Sequence, residues 1–329
     1  MPRAAVVGAG VMGRWHVQAV RRLGIEPAAV VDVDRRAAEG VAAQAGQGCR
    51  VFEELAACLE QCEVDVVHVC TPPGTHAQLV HEALDRGCHV LVEKPLADSP
   101  AEVEAVLAAA RGRRLNVNPV HQLPFQRGVE RIQARRGELG ELVRVEYVTA
   151  SAGGAGWAPA ERQGLLREIV PHAASLFHRF APGFDPDEFE VHEGQEDLAL
   201  VGRRGPTWLE AFITLRGRPP RNELRVTGTR ASAAADLFHG FSILDRVPPT
   251  RAGKALRPFA LGARLLAGTA ANGARRAAGL EVAYPGLRTL IGRFYASVTT
   301  GAPPPISEDE ILAAAALTDA ARTGVGARR

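Results

Sequence analysis

The sequence predicts an α/β protein: an N-terminal doubly wound Rossmann domain followed by a C-terminal α+β domain with a mainly antiparallel sheet. Over the first 120 residues, apolar runs alternate with helical patterns, and a glycine-rich turn follows the first run. After that point the strand patterns lengthen and follow one another closely. With 329 residues, 46% of them hydrophobic, the chain is long enough for two domains with separate cores.

Five apolar runs mark the strands of the first domain, which we place at residues 1–120. They are "RAAVV", "PAAVVDVD", "VDVVHVC", "CHVLVEKP" and "RLNVNPV". Helical patterns separate them, and in the last of these helices Ser99 is the predicted N-cap with Pro100 in the first turn. Runs that are apolar throughout are typical of parallel strands, because helices cover both faces of such a sheet.

The second domain, residues 121–329, is predicted from four longer runs that alternate between apolar and polar residues. They are "ELVRVEYVTAS", "QEDLALVGR", "TWLEAFITLRG" and "NELRVTGTRASAAAD". Turn residues between them favour an antiparallel sheet. One helix is expected at "LLREIVPHAASLFHRF", and a capped helix at about 308–323 could pack back toward the first domain.

Residues 251–279 carry six basic side chains, no acidic side chain and many alanines. The spacing of Leu256, Phe259, Leu265 and Leu266 supports amphipathic helices. A lid, an oligomer contact, a helix at a membrane surface and a plain solvated helix all fit this pattern.

Charge and cysteine usage narrow the class of protein. The formal net charge of +2 argues against a dedicated nucleic-acid binder. No apolar run is long enough to span a membrane, and we expect no signal peptide before the first strand. The five cysteines lie within the first 90 residues without zinc spacing, so we expect reduced thiols, no metal site and a cytoplasmic protein.

The glycine-rich turn has the spacing of a dinucleotide-binding loop. Gly8, Gly10 and Gly13 match G-x-G-x-x-G between a strand and a helix, and Val11 and Met12 occupy the two positions before the last glycine. The first glycine permits the tight turn, the second leaves room for a pyrophosphate, and the third lets the helix pack closely on the strand. The helix N-terminus then offers free N–H groups to the phosphates.

Asp32 indicates which dinucleotide this loop binds. It ends the second strand, 19 residues after Gly13. A carboxylate at this position accepts hydrogen bonds from the ribose hydroxyls and repels a 2′-phosphate, although Arg35 and Arg36 could soften the preference. The pattern therefore predicts NAD, with NADP less favoured.

Lys94 is one of only two lysines among the 39 basic residues, the other being Lys254. It stands at the end of the fourth apolar run, and strand ends in an open parallel sheet face the ligand crevice. A partly desolvated lysine can exchange a proton near neutral pH, whereas arginine stays protonated. This contrast favours a chemical role for Lys94.

Four segments of the first domain resemble the Gfo/Idh/MocA family of NAD(P)-dependent oxidoreductases. They are "GAGVMGRWH", "VVDVD", "VCTPPGTHAQLVHEAL" and "HVLVEKPLA", and the resemblance continues in "LRVTGTRAS". It implies a Rossmann domain joined to an open-faced sheet domain that binds substrate and forms homodimers or homotetramers. It also implies sugars, sugar nucleotides or inositols as substrates.

The same resemblance implies roles for individual residues of the first domain. Lys94 would be the catalytic lysine beside the reacting hydroxyl and the nicotinamide. The residues that would line the cofactor are Thr71, Pro72, His76 and Glu93.

Family members often carry an Asp-x-x-x-His pattern on a helix of the second domain, and the matching residues here are Glu168 and His172. Their spacing of four places both on one helical face. His172 would accept the hydroxyl proton, and Glu168 would orient a partner or bind a substrate hydroxyl. Glutamate replaces the usual aspartate, and Pro171 is expected to start or kink the helix. The candidate substrate neighbours are Asn118, His121 and Trp157.

Three functions remain open at the level of sequence. The first is an NAD-dependent oxidoreductase acting on a sugar or sugar nucleotide. The basic second half, with 27 basic against 22 acidic residues after position 120, favours an anionic substrate for it. The second is transient oxidation that enables elimination or glycoside cleavage, with NAD regenerated. The third is a non-catalytic NAD-binding regulator.

Overall fold

The computed structural model describes residues 2–151, 156–246, 250–279, 284 and 286–324. The chain divides into two compact units. Unit 1 comprises the residues up to His121 together with Leu287–Ala315, and unit 2 comprises Gln122–Gly286 together with the residues from Ala316 onward. The chain therefore returns to unit 1 after completing the sheet of unit 2.

The strands and helices are numbered in chain order. The strands are β1 (Ala4–Val7), β2 (Pro27–Val31), β3 (Arg50–Phe52), β4 (Val66–Val69), β5 (His89–Val92), β6 (Val117–Pro119), β7 (Leu142–Ala150), β8 (Glu190–Glu193), β9 (Asp197–Arg204), β10 (Thr207–Thr214), β11 (Arg221–Gly228), β12 (Ser232–Asp236) and β13 (Phe241–Asp245). The helices are α1 (Val11–Arg22), α2 (Arg35–Ala45), α3 (Leu55–Gln61), α4 (His76–Asp85), α5 (Pro100–Arg113), α6 (Arg127–Ala134), α7 (Arg136–Leu139), α8 (Pro159–Phe180), α9 (Arg251–Ala277), α10 (Leu287–Thr300) and α11 (Glu308–Thr323).

Unit 1 is built on a six-stranded parallel sheet in the order β3-β2-β1-β4-β5-β6. This order confirms the predicted doubly wound Rossmann fold. All residues of β1 and β4 are buried, which explains why these strands lack polar alternation. Ser99 caps α5 as expected, because the Glu102 N–H donates to Ser99 Oγ at 3.2 Å. The sequence reading missed β3, a three-residue edge strand.

Unit 2 is built on a seven-stranded sheet in the order β13-β12-β11-β7-β10-β9-β8. The β7–β10 pair is parallel and the other neighbouring pairs are antiparallel, so the prediction of a mainly antiparallel sheet is confirmed. Helix α8 packs against β7, β9 and β10. Within the described residues, no helix is both long and apolar enough to cross a bilayer.

Helix α8 does not start at Pro171, which was one of the two expectations for this residue. The helix begins at Pro159 and runs through Pro171 to Phe180. An interior proline removes one backbone hydrogen bond and costs about 3 kcal/mol. Buried side chains on both sides of the proline, such as Val170 and Phe177, offset this cost by packing against the sheet.

Candidate functional site

The parallel register of unit 1 aligns the carboxyl ends of its strands. Val7 of β1 pairs with Val31 of β2 and with Val69 of β4. Val69 in turn pairs with Val92 of β5. The residues that follow these strand ends therefore share one edge of the sheet, and they include Gly8, Asp32, Thr71, Glu93 and Lys94. In an open α/β sheet this edge is where ligands bind, next to the point where the strand order reverses between β1 and β4.

The glycine loop leaves space where a phosphate would lie. Gly8 has φ +98°, and a Cβ there would lie 2.5 Å from the Cys70 carbonyl oxygen. A Cβ on Gly13 would lie 1.8 Å from the Gly8 carbonyl oxygen, so α1 and the loop touch through backbone alone. A Cβ on Gly10 would meet no atom within 4 Å. This open space at the N-terminus of α1, where Val11 and Met12 begin the helix, fits a pyrophosphate.

Asp32 ties the glycine loop to the end of β2. Its Oδ2 accepts the Ala9 N–H at 2.6 Å, and its Oδ1 accepts the Asp34 N–H at 2.8 Å. Each carboxylate oxygen has a second lone pair, so both retain capacity for the hydroxyls of a ribose. The geometry of the loop and of Asp32 therefore fits a dinucleotide.

His76 joins the loop after β4 to the loop after β5. Its Nδ1 lies 2.7 Å from the Pro95 carbonyl oxygen and its Nε2 lies 2.8 Å from the Thr71 carbonyl oxygen. Carbonyl oxygens only accept, so the ring is the donor in these contacts. His76 is fully buried, whereas Pro72 is exposed and Thr71 is half-buried. The contact of His76 with the Pro95 carbonyl therefore stabilises the loop that contains Lys94.

Glu93 ends a buried chain of hydrogen bonds that the sequence analysis missed. Glu93 Oε1 lies 3.1 Å from His16 Nε2, and His16 Nδ1 lies 2.8 Å from His68 Nδ1. His68 Nε2 lies 2.8 Å from the Tyr295 hydroxyl. Both histidines are fully shielded from solvent. The available sequence signal was His68 within an apolar run, since a buried polar side chain requires a partner.

One arrangement of protons satisfies this chain when Glu93 is a carboxylate. The carboxylate only accepts, so His16 donates from Nε2 and, when neutral, accepts at Nδ1. His68 then donates from Nδ1 and accepts the Tyr295 hydroxyl proton at Nε2. Burial, followed by the proximity of His16, lowers the pKa of His68 well below its usual value, consistent with a neutral ring. The chain therefore holds Glu93 in one orientation beside Lys94.

The structure places the proposed catalytic residues on different units. Lys94 follows β5 in unit 1, is half-buried, and is joined to Pro95 by a cis peptide bond. Glu168 and His172 lie on α8 of unit 2, one turn apart on the same helical face. Glu168 is exposed and His172 is half-buried.

The three candidate substrate neighbours have different surroundings. Asn118 is buried and its Nδ2 donates to the Ile306 carbonyl at 2.9 Å, so its amide tethers the segment before α11. His121 is also buried, with Nδ1 3.8 Å from Glu310 Oε1. Trp157 is exposed before α8, and residues 152–155 of its glycine-rich loop lie outside the described residues.

The doubly wound fold, the glycine loop and the position of Asp32 are together typical of a dinucleotide-binding protein. Residues 2–120 match the Gfo/Idh/MocA oxidoreductase family, described as having an NAD-binding Rossmann fold. An inositol 2-dehydrogenase from Saccharopolyspora erythraea is 41% identical over 208 residues, which are 61% of this chain and 54% of that protein. The predicted resemblance of residues 2–120 to the Gfo/Idh/MocA family and the predicted NAD-binding Rossmann fold are therefore confirmed.

Two solved structures have the same fold over nearly the whole chain. UDP-N-acetylglucosamine 3-dehydrogenase from Acidithiobacillus ferrooxidans superposes with a TM-score of 0.76 at 19% identity, covering 99% of this chain and 98% of that one. The WlbA dehydrogenase from Bordetella pertussis, in complex with NADH and UDP-GlcNAcA, superposes with a TM-score of 0.75 at 16% identity, covering 98% and 96%. At 19% and 16% identity, these two matches show that the chain shares the fold and nothing beyond it. The chain spans only 54%, 41% and 34% of three curated relatives in sequence.

Proposed function

We propose that this protein is an NAD-dependent oxidoreductase. It transfers a hydride between nicotinamide and the hydroxyl or keto carbon of a sugar, inositol or sugar nucleotide. The observation that supports this most strongly is the shared strand-end edge of unit 1, where the glycine loop, Asp32 and Lys94 follow the carboxyl ends of the parallel strands β1, β2 and β5. A proton-exchanging side chain at a dinucleotide edge suits oxidation of an alcohol.

Each proposed catalytic residue has a chemical task. Bound NAD supplies the hydride acceptor. His172 accepts the hydroxyl proton during oxidation, since a neutral imidazole is an effective base near neutral pH. Lys94 polarises the hydroxyl oxygen or passes the proton on. Glu168 accepts a hydrogen bond from a substrate hydroxyl or orients its catalytic neighbour.

Asp32 is proposed to set the preference for NAD over NADP. Replacement of Asp32 by Ala removes the repulsion of a 2′-phosphate and the acceptors for the ribose hydroxyls. We expect wild type to bind NAD at least about tenfold more tightly than NADP, and Asp32→Ala to lose most of this difference. Fluorescence titration of both cofactors measures the effect. Equal affinity of wild type for the two cofactors would refute the proposal.

A substrate screen tests the activity itself. Neutral sugars, inositols and nucleotide sugars are incubated with enzyme and NAD while NADH absorbance is followed. We expect NADH formation with at least one compound of this panel. If the basic second half binds an anionic substrate, nucleotide sugars should be oxidised faster than the corresponding neutral sugars. Product formation without net NADH would instead support the redox-neutral alternative. NAD binding without any conversion across the panel would favour a regulator.

We also propose a cytoplasmic homodimer or homotetramer. The five cysteines are all free thiols, which suits a reducing compartment. Aromatic side chains are exposed on β10, at Trp208 and Phe212, which suits an oligomer contact through the sheet.

A further inference from the structure

Among the described residues, helix α9 packs on β13 and on the turn before it through one side. Arg257 donates to Asp245 Oδ2 at 2.8 Å, and Arg264 donates to the Leu244 carbonyl at 3.1 Å. Further along, Asn272 donates to the His239 carbonyl at 2.5 Å and Arg276 to the Phe238 carbonyl at 3.1 Å. The first three of these residues are each about two turns apart, and the last two are about one turn apart. All four therefore face the protein from one side of the helix.

The opposite side of α9 is apolar and exposed. We call it the α9 stripe, and it consists of Leu256, Phe259, Ala263, Leu266 and Ala270. The spacing i, i+3, i+7, i+10, i+14 places them on one face. Phe259 is 77% exposed and Leu266 is 74% exposed, and all five stripe residues face solvent. A helix of 27 residues is about 40 Å long, so the stripe is an extended apolar surface.

The charge on α9 has a single sign. Arg251–Ala277 contains six cations and no acidic residue. Two of the cations, Arg257 and Arg264, share the Asp245 carboxylate. The others stand near the two ends of the helix, at Arg251 and Lys254 and at Arg275 and Arg276. Each end of the stripe is therefore flanked by positive charge.

This charge pattern discriminates between possible occupants of the stripe. A second copy of the chain would bring the same cations, so pairing two stripes about a two-fold axis places like charges at both ends. A membrane surface with anionic lipids offers an apolar layer for the stripe and negative headgroups for the cations at the helix ends whose side chains bond to no described residue, such as Arg251 and Lys254. An in-plane amphipathic helix needs this combination of apolar face and basic flanks.

We propose that α9 is a peripheral membrane-binding helix, which lies in the headgroup layer of an anionic membrane with its stripe toward the acyl chains. This proposal is independent of the proposed catalytic activity. It gives a role to the basic segment 251–279, for which the sequence alone left four alternatives.

Vesicle co-sedimentation of the full chain tests the proposal. The probes are vesicles of phosphatidylcholine alone and vesicles with one third phosphatidylglycerol. We expect at least about tenfold tighter binding to the anionic vesicles, weakening as salt rises. The double variant Phe259→Glu with Leu266→Glu should lose this binding. Val33→Glu, at a 90% exposed valine of unit 1, is the matched control and should bind like wild type.

A charge variant supplies an independent test. Arg251→Gln with Lys254→Gln leaves the stripe intact, and we expect its affinity for anionic vesicles to fall by roughly tenfold or more. Undiminished binding by the stripe variant, or equal binding of wild type to both kinds of vesicle, would overturn the proposal. Failure of wild type to bind anionic vesicles would overturn it too. If the stripe variant then breaks a wild-type dimer in analytical ultracentrifugation, the occupant of the stripe is a second copy of the chain.

Discussion

Glu93 and Lys94 are neighbours in the chain, but their surroundings give them different tasks. Glu93 is buried and hydrogen-bonded to His16, whereas Lys94 is half-buried at the sheet edge. His76 holds the carbonyl of the next residue, Pro95. The fixed glutamate and the supported loop together limit where the lysine ammonium group can lie, and such preorganisation suits the catalytic role proposed for Lys94.

Replacing Lys94 should separate catalysis from cofactor binding. Lys94→Ala removes the ammonium group, and Lys94→Arg keeps the charge but cannot release a proton. We expect both to lower kcat by at least about 100-fold, while the Kd for NAD changes by less than about threefold. Steady-state assays and NAD titration measure the two effects. Normal turnover in Lys94→Arg would show that charge alone suffices.

The buried histidines should have defined tautomers. With Glu93 ionised, His16 carries its proton on Nε2 and His68 carries its proton on Nδ1. ¹⁵N NMR of labelled histidine rings at pH 7 reports which nitrogen is protonated, and His16→Gln assigns the signals. The exposed ring of His192 serves as the reference. The opposite tautomers, or doubly protonated rings at both positions, would contradict the proposed proton arrangement.

Tyr295→Phe probes the far end of the same chain. It removes the hydroxyl that donates to His68 Nε2. We expect the His68 Nε2 resonance to shift while Nδ1 stays protonated, because the His16 acceptor remains. An unchanged Nε2 resonance would show that the tyrosine does not donate to this ring.

The glycine loop offers a matched pair of substitutions in one structural element. Gly13→Ala forces a Cβ against the Gly8 carbonyl, whereas Gly10→Ala adds a methyl group in open space. Gly10 has φ −71°, which alanine adopts readily. Gly10→Ala should therefore keep the free energy of unfolding within about 1 kcal/mol but weaken NAD binding at least about tenfold.

Gly13→Ala should lose stability as well, by about 2 kcal/mol or more, because backbone atoms must move. Urea unfolding without cofactor and NAD titration distinguish the two variants. Tight NAD binding by Gly10→Ala would show that the open space does not hold the pyrophosphate.

Local patterns in the sequence account for most of the elements but not for their distant partners. The glycine loop, the strand ending at Lys94 and the Ser99 cap are recognisable because their signals lie within a few residues. The three-residue β3 is too short to show a pattern. The parallel pairing of β7 with β10 joins segments more than 60 residues apart, so neighbouring residues do not encode it.

The residues of the candidate site divide in the same way, into those with a local sequence signal and those whose partners are distant in the chain. The positions of Asp32 and Lys94 at the edge where strands end could be predicted, because strand ends mark the ligand edge of a parallel sheet. The partners of Glu93 could not, because His16, His68 and Tyr295 come from three separate elements. The helix predicted at "LLREIVPHAASLFHRF" is confirmed, but the alternative that it starts at Pro171 is wrong, because tertiary packing outweighs the local cost of a proline.

At the level of the whole molecule, the sheet of unit 2 presents a surface suited to assembly. Trp208 and Phe212 of β10 are 41% and 42% exposed, and the Arg203 guanidinium lies 4.6 Å from the Trp208 ring centroid. We expect wild type to sediment as a dimer or tetramer, and Phe212→Glu to shift it toward monomer because a charge is disfavoured in an apolar contact. Val33→Glu is the control. A monomeric wild type at micromolar concentration would contradict this prediction.

The central claim is that the protein moves a hydride between a CH–OH carbon and nicotinamide. The most direct measurement follows deuterium from a substrate that the screen identifies, labelled at its carbinol carbons, to the C4 position of nicotinamide by NMR. We predict one deuteron on the reduced cofactor with wild type and at least about 100-fold slower transfer with Lys94→Arg. Substrate conversion with no deuterium at C4 of the reduced cofactor would contradict the claim.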